Sequence, residues 1–221
     1  MTVRGDGSEE MEALPRDDGG SLGGVEGAGL LERREIYDGR IVRLSVDTVR
    51  FPGGRTGDLE FVRHPGGSAV VPFLDSPSDP DPRILLVHQY RYAAGGLLYE
   101  IPAGMPDSAE EPLEECARRE MTEETGFRAR ELRYLGRIFT TPGFTDEVIH
   151  LFAAAGLEAG GTDRDPDEFL EVVTLPLSRA LRGVRTGEIV DAKTVSALLF
   201  VASFLEVAWE ENRPAPAREP A

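Results

Sequence analysis

The 221-residue sequence contains a single cysteine, Cys116, and no uninterrupted apolar run long enough to cross a bilayer. One cysteine excludes an internal disulfide framework and is typical of proteins from a reducing compartment. Residues 1–29 lack the basic start and the apolar stretch of a secretory signal. These absences predict a soluble cytoplasmic protein with no membrane partner. We expect Cys116 to be a small core residue rather than a nucleophile.

Positive charge is also scarce, because 24 lysines and arginines face 40 aspartates and glutamates, which gives a net charge of −16. Such a surface repels the phosphates of nucleic acids and of anionic lipids, so we expect no nucleic-acid partner. The three histidines are scattered and form no pattern typical of a transition-metal site. An acidic enzyme that binds phosphates must therefore recruit cations or concentrate a few arginines.

The length fits one globular domain with small additions at its ends. Glycine and acidic residues dominate the beginning of the chain, and proline and alanine dominate its end, so we predict disorder in both segments. The predicted organisation is a disordered leader over residues 1–29, a strand hairpin over 30–63, the main domain over 64–212 and a disordered tail over 213–221.

Alternating or short apolar runs predict strands at residues 41–51, 59–63, 69–74, 84–87, 97–101, 132–140, 148–153 and 169–175. The first two strands form the hairpin, with a turn at Pro52, Gly53 and Gly54. Residues 192–211 place apolar side chains at helical spacing, which predicts a helix whose apolar face packs against the sheet.

Residues 113–125 carry the most informative pattern, a predicted helix that begins after Pro112 and ends before Gly126. At 100° per residue, Leu113, Cys116, Ala117 and Met121 share one inward arc. Glu120 and Glu124 fall within the same arc. Two acids on a buried face are not explained by solubility.

Burying a carboxylate without a partner costs several kcal/mol, and two carboxylates four residues apart also repel each other. A divalent cation removes both costs, because hard cations prefer carboxylate oxygens and keep open positions for water and substrate phosphates. The alternative is a solvated acidic helix with surface ion pairs. That alternative explains Glu114 and Glu115 but not Glu120 and Glu124.

The same stretch resembles the Nudix box, G-x5-E-x7-R-E-U-x-E-E-x-G-U, where U is a bulky apolar residue. The matching residues are Gly104, Glu111, Arg119, Glu120, Met121, Glu123, Glu124, Gly126 and Phe127. The sequence departs from the pattern once, because six residues rather than five separate Gly104 from Glu111. The spacing within the helix is intact.

This resemblance implies an α/β fold, the Nudix α/β/α sandwich around a mixed sheet, with an N-terminal antiparallel strand extension. It also implies hydrolysis of a nucleoside diphosphate linked to another group. By the same resemblance, Mg²⁺, with Mn²⁺ as a substitute, is held by Glu120, Glu124, Glu111 and the carbonyl of Ala103. Arg119 orients the glutamates, and Glu120, Glu123 and Arg119 are catalytic.

Three stretches outside the box resemble the ADP-ribose and nucleoside-diphosphate-sugar pyrophosphatases of this superfamily. They are the "QYR" segment at His88–Gln89–Tyr90–Arg91, the "E-x-P-A-G" segment at 100–104 and the "SPGFTDE"-like loop at 141–147. The resemblance implies that Arg91, Glu100, Gly104 and Phe144 bind substrate. Taken alone, Arg91 is also compatible with a solvated strand end, and the loop with an ordinary Pro-Gly turn.

The resemblance further implies a catalytic base in the acidic segment 165–168, where Glu168 is the candidate and an ordinary acidic surface loop is the alternative. It implies a homodimer in which the N-terminal strands help to bind the base. The predicted reaction is hydrolysis of ADP-ribose to AMP and ribose 5-phosphate. Two alternatives are a pyrophosphatase for ADP-glucose or a GDP-sugar, and a noncatalytic ADP-ribose sensor.

Overall fold

A computed structural model of the protein describes residues 25–160, 170–211 and 214–216. Within these residues the chain forms ten strands, three α-helices and one short 3-10 helix, Tyr92–Ala94. The strands are β1 (Gly29–Asp38), β2 (Arg43–Arg50), β3 (Thr56–Arg63), β4 (Gly67–Pro72), β5 (Arg83–Arg91), β6 (Gly96–Glu100), β7 (Ala103–Gly104), β8 (Phe127–Phe139), β9 (Val148–Ala159) and β10 (Leu170–Pro176). The helices are α1 (Leu113–Thr125), α2 (Leu177–Thr186) and α3 (Ala192–Glu211).

The strands form three sheets. The central sheet has the order β7-β4-β9-β8, and it is mixed because β4 and β9 run parallel whereas the outer pairs are antiparallel. A second sheet, β10-β5-β6, is antiparallel. The third, β1-β2-β3, is the antiparallel N-terminal extension.

Alternating side chains of the central sheet face opposite layers, as a strand's period of two requires. Val70 of β4 and Phe152 of β9 pack in one cluster with the apolar face of α1. Ala69 and Ala153 belong to the other cluster, which includes α2, α3 and the second sheet. The central sheet is therefore covered on both faces, and the predicted α/β/α sandwich around a mixed sheet is confirmed.

Helices α1 and α3 have the bounds that the sequence predicts, and a strand is found at each predicted position. Three elements were not predicted: β1, β7 and α2. Every residue of β1 is exposed, so no buried face imposes an alternating pattern on its sequence. Helix α2 contains Gly183, a weak helix former, at a position where a Cβ would lie 3.0 Å from the Ile189 side chain.

The N-terminal extension buries polar rather than apolar side chains. Ser45 and Asp47 of β2 are buried, and Arg63 of β3 donates hydrogen bonds of 2.7 Å to both. Burial raises the pKa of Asp47, but hydrogen bonds from Ser45 and Arg63 outweigh it and lower the pKa below its usual value. The ionised carboxylate thus joins β2 and β3 through a satisfied polar network.

The predicted leader lies outside the described residues as far as residue 24, and β1 begins at Gly29, the last residue of that prediction. Of the predicted tail, only residues 214–216 are described. Among the helices that the structure describes, none has the length and apolar character needed to cross a bilayer.

Phe73 is completely buried between β4 and the helical layer, and its ring contacts the edge of Trp209. We expect Phe73→Ala to lower the free energy of unfolding by about 3–5 kcal/mol, because it opens a cavity in the larger core cluster. Phe204→Ala, at a site that is 54% exposed, is the matched control and should cost less than about 1 kcal/mol. Urea unfolding measures both changes, and equal losses would contradict the assigned core.

Candidate active site

A cleft of about 1020 Å³ opens where α1 meets the ends of several strands. The box helix contributes Arg119, Glu120, Glu123 and Glu124 to its lining. Strand β5 contributes Gln89 and Arg91, β7 contributes Ala103 and Gly104, and α3 contributes Lys193. Arg40, from the turn between β1 and β2, also lines the cleft. The N-terminal extension therefore reaches the site.

The rotation of α1 places its acids at the cleft. Met121 and Ala117 are fully buried against the sheet, and the Ser68 hydroxyl of β4 donates a 2.9 Å hydrogen bond to the carbonyl of Leu113. Glu120 is 9% exposed and Glu124 is 2% exposed. The predicted inward orientation of both acids is confirmed. Gly126 ends the helix in the left-handed conformation, with φ of 78°.

Arg119 holds the acids of the box together. Its guanidinium donates to Glu111 at 2.9 and 3.0 Å, to Glu120 at 2.7 Å and to Glu123 at 3.1 Å. It also donates to the carbonyl of Met105 at 2.8 Å. The hydrogen bonds with Glu111, followed by the charge of Glu120, raise the pKa of Arg119 far above its usual value. Arg119 is therefore a fixed cation that offsets part of the acids' repulsion.

Glu111 reaches this network although the loop before it is one residue longer than the box pattern. The main-chain N–H of Asp107 donates a 2.7 Å hydrogen bond to the Glu111 carboxylate, so the loop turns back on itself just before the helix. The extra residue is absorbed before the helix begins, and the contact with Arg119 is kept.

Gly104 forms the floor beneath Glu120. A Cβ at this position would lie 2.1–2.3 Å from the Glu120 carboxylate atoms, so only glycine fits without displacing that group. Beside it, the main-chain N–H of Ala103 donates a 3.2 Å hydrogen bond to Glu124. Ala103, Gly104, Glu120 and Glu124 are therefore brought together, as the sequence predicts.

These residues fit a divalent cation of the hard type. Mg²⁺ is usually held by one or two carboxylates, with water and substrate phosphates completing its shell. Glu120 and Glu124 supply the carboxylates at the bare surface of Gly104. In the part of the chain that the structure describes, no three His, Cys, Asp or Glu side chains form a metal-binding group. A site with two carboxylates thus depends on oxygens from water and substrate.

A second ionic group is centred on the buried carboxylate of Glu100. Glu100, 1% exposed, accepts two 2.8 Å hydrogen bonds from Arg91 and one of 2.5 Å from Lys193. Burial raises the pKa of Glu100, but Arg91 and Lys193 outweigh this and lower it below its usual value. Glu100 is not among the described residues that line the cleft, but it binds two cations, Arg91 and Lys193, that do line it.

Lys193 is a site residue that the sequence reading missed. It lies in the first turn of α3, where the helix dipole disfavours a cation. Glu100 and Asp191 stabilise it, the latter at 3.0 Å, and the N–H of Ile101 donates to Thr194 at 2.9 Å, which fixes this turn beside β6. In the sequence, the only indication of this role was a lysine in the first turn of a predicted helix, where a cation is unfavourable.

The remaining predicted residues lie at different distances from the cleft. Phe144 is 51% exposed and is absent from the described lining; its carbonyl accepts a 2.8 Å hydrogen bond from the N–H of Val62. Glu168 lies outside the described residues. Cys116 is buried, as expected of a small core residue, and burial with the nearby acids raises the pKa of its thiol to about 11.

Comparison with known proteins agrees with this geometry. A model of the NUDIX domain matches residues 65–198. Over 173 residues the chain is 38% identical to the methanol dehydrogenase activator of Bacillus methanolicus and 37% identical to the ADP-ribose pyrophosphatase of Bacillus subtilis (strain 168). Each alignment covers 77% of this chain and 90% of the relative. The chain belongs to the NUDIX domain family, and it is a Nudix hydrolase.

The fold has a counterpart among solved structures. The crystal structure of an ADP compounds hydrolase superposes with a TM-score of 0.70, covering 84% of this chain and 97% of that one. Sequence identity between the two is 22%, so this similarity bears on the fold alone. Enzymes of this family generally need a divalent metal ion.

Gly104→Ala tests the floor of the cleft. We expect the new Cβ to push the Glu120 carboxylate aside and to lower hydrolase kcat on the order of 100-fold, with an unchanged far-UV circular dichroism spectrum. Gly96→Ala is the matched control, because a Cβ there meets no atom within 4 Å. Full activity of Gly104→Ala would show that the close approach of Gly104 and Glu120 has no role.

Proposed function

We propose that the protein hydrolyses ADP-ribose to AMP and ribose 5-phosphate in a reaction that depends on Mg²⁺. The observation that carries this proposal is the pair of buried carboxylates, Glu120 and Glu124, held against the bare backbone of Gly104. A diphosphate placed there completes the oxygen shell of a divalent ion. The acidic net charge of the protein is no obstacle, because the bound cation offsets it locally.

The choice of ADP-ribose is supported by similarity to the Bacillus subtilis enzyme and by the three sequence segments outside the box. The relative from Bacillus methanolicus carries a different name at nearly the same identity, so similarity by itself does not select the substrate. The structure adds Arg91 and Lys193, two cations in the cleft that suit the negative charge of a diphosphate.

Each box residue has a role that its contacts suit. Glu120, Glu124 and the Ala103 carbonyl would hold the metal, and Glu111 would assist by fixing Arg119. When bound, the metal would neutralise the diphosphate and lower the pKa of a bound water. Arg119 keeps the carboxylates in place through its hydrogen bonds. The oxygen of water attacks one phosphorus, and the bond from that phosphorus to the bridging oxygen breaks.

A carboxylate must accept the proton that the attacking water loses. Glu168 is the base that the sequence favours. Glu123 is the candidate among the described residues. It lines the cleft, and Arg119 donates a hydrogen bond to its Oε2 atom. The leaving phosphate carries the charge that the broken bond releases, and Arg91 is suited to stabilise it.

Glu100 acts behind the substrate in this proposal. Because it is buried and binds Arg91 and Lys193, it positions two cations rather than contacting substrate itself. Phe144 would contact the substrate from the loop that rests on β3, where the Val62 N–H holds its carbonyl.

We also propose a cytoplasmic homodimer that pairs through the N-terminal extension, with residues 64–212 as the catalytic domain and 30–63 as the dimerising part. Large apolar side chains are exposed on that extension, between 39% and 59%: Leu30, Leu31, Ile36, Tyr37, Ile41 and Leu59. A second copy of the chain would cover this surface.

Glu120→Gln and Glu124→Gln test the metal ligands. Both changes keep the side-chain volume and remove a charge. We therefore expect folded proteins whose kcat is reduced by about 100-fold or more. Glu114→Gln and Glu115→Gln are matched controls on the exposed face of the same helix and should keep kcat within about twofold. Near-normal turnover by either test variant would contradict the assignment.

A substrate panel tests the reaction. We expect ADP-ribose to exceed ADP-glucose and GDP-mannose in kcat/KM by about tenfold or more, because the sugar and the base are both bound. Chromatography of the products should give AMP and ribose 5-phosphate. Equal turnover of a GDP-sugar would overturn the choice of substrate, and binding without turnover would favour the sensor.

Ile36→Glu tests the dimer. Light scattering should give twice the 24.1 kDa chain mass for the wild type and the mass of one chain for the variant, because a charge is placed on the apolar surface. Glu32→Gln, on the same strand, is the control and should stay dimeric. A wild-type protein that is monomeric at micromolar concentration would contradict the proposal.

A further inference from the structure

Gln89 is a cleft residue whose buried side-chain oxygen has no partner among the described residues. It lies on β5 between β10 and β6, where its main chain pairs with Leu170 and Leu98. Its side chain is 6% exposed and lines the cleft. Within the described part of the chain, no hydrogen-bond donor reaches its buried Oε1. A polar atom without a partner is therefore placed at the wall of the site.

Such an arrangement is costly for the free protein. A buried amide oxygen without a partner destabilises the folded state, whereas an apolar side chain of the same size does not. The other buried positions of β5 are all apolar: Ile84, Leu85, Leu86 and Val87. A leucine or methionine at position 89 would serve packing better. The amide is accounted for if a ligand supplies its missing partner.

The neighbours of Gln89 indicate the part of the ligand it meets. Arg91 is two residues further along β5 and so projects from the same face of the strand. Arg91 and Lys193 are both cations that line the cleft and suit phosphate oxygens. A phosphate oxygen is only an acceptor and cannot satisfy Oε1. As the side chain is placed, Oε1 needs a hydrogen-bond donor, and a sugar hydroxyl is the donor that a nucleoside diphosphate sugar carries next to its phosphates.

We propose that Gln89 is a specificity-determining residue, which accepts a hydrogen bond from a hydroxyl group of the substrate's sugar next to the diphosphate. The inference rests on the proposed function, because it assigns a contact within that substrate. A hydroxyl both donates and accepts, so it satisfies the amide in either orientation of its O and N atoms. Substrates that lack the hydroxyl leave Oε1 buried without a partner and are rejected.

The test compares wild type with Gln89→Met on ADP-ribose and on analogues that lack one ribose hydroxyl each, from either sugar. We expect one analogue to lose about 10- to 100-fold in wild-type kcat/KM, and Gln89→Met to lose a similar factor on ADP-ribose. The variant should treat ADP-ribose and that analogue alike, within about twofold. Its melting temperature should equal or exceed that of the wild type, because the side chain of Gln89 makes no hydrogen bond within residues 25–160 and 170–211 that the change would remove.

Three results would overturn the inference: a variant that keeps wild-type kcat/KM on ADP-ribose, a variant that keeps the wild-type preference for the hydroxyl, or a melting temperature clearly below that of the wild type. The last result would mean that the amide supports the fold. Gln89→Leu repeats the test with a second apolar side chain. Tyr90→Phe, a half-exposed neighbour outside the cleft lining, is the control and should change neither measurement.

The two proposals fail in different ways. If the wild-type protein does not hydrolyse ADP-ribose but does hydrolyse another sugar nucleotide, the proposed substrate is wrong. The comparison at Gln89 is then made with that nucleotide and its deoxy counterparts, and the same three results decide it. If ADP-ribose is hydrolysed and every deoxy analogue reacts equally well, only the role of Gln89 is lost.

Discussion

The structure depends on the burial of two like charges on one face of α1. Glu120 and Glu124 are one turn apart, both at least nine-tenths buried, and each would cost several kcal/mol without a partner. Arg119 provides a permanent positive charge at 2.7 Å from Glu120, and the main chain of Ala103 provides a donor for Glu124. These partners hold the carboxylates in place, and a divalent metal would offset the charge that remains.

The rest of the fold is arranged to keep that face of the helix fixed. The central sheet buries Met121 beneath α1, so the helix cannot rotate without losing core contacts. The backbone of Gly104 lies so close to Glu120 that a methyl group would not fit between them. A similar principle operates at Glu100, where a buried carboxylate fixes two cations, Arg91 and Lys193, at the cleft. One acidic cluster and one basic pair thus face the same space.

The parts of this account that rest on local pattern were predictable from the sequence. The period of 3.6 residues placed Glu120 and Glu124 inside, and the Gly126 signal placed the end of α1 correctly. The roles of Lys193 and Gln89 depend on contacts between elements distant in the chain, so local pattern offered at most the unfavourable position of Lys193 in the first turn of α3. For Phe144 the opposite holds: the sequence motif identified it, but its side chain is half exposed and is absent from the described lining of the cleft. Strand β1, exposed along its whole length, left no hydrophobic period to detect.

The most direct test of the central claim is a crystal structure of the protein with Mn²⁺ and a nonhydrolysable ADP-ribose analogue, with the ion located by its anomalous scattering. The account predicts an ion bound by oxygens of Glu120 and Glu124 above Gly104, with the diphosphate on its open side and Arg119 still bonded to Glu111. An ion bound elsewhere, or a diphosphate seated with both carboxylates contacting only Arg119 and the main chain, would contradict it.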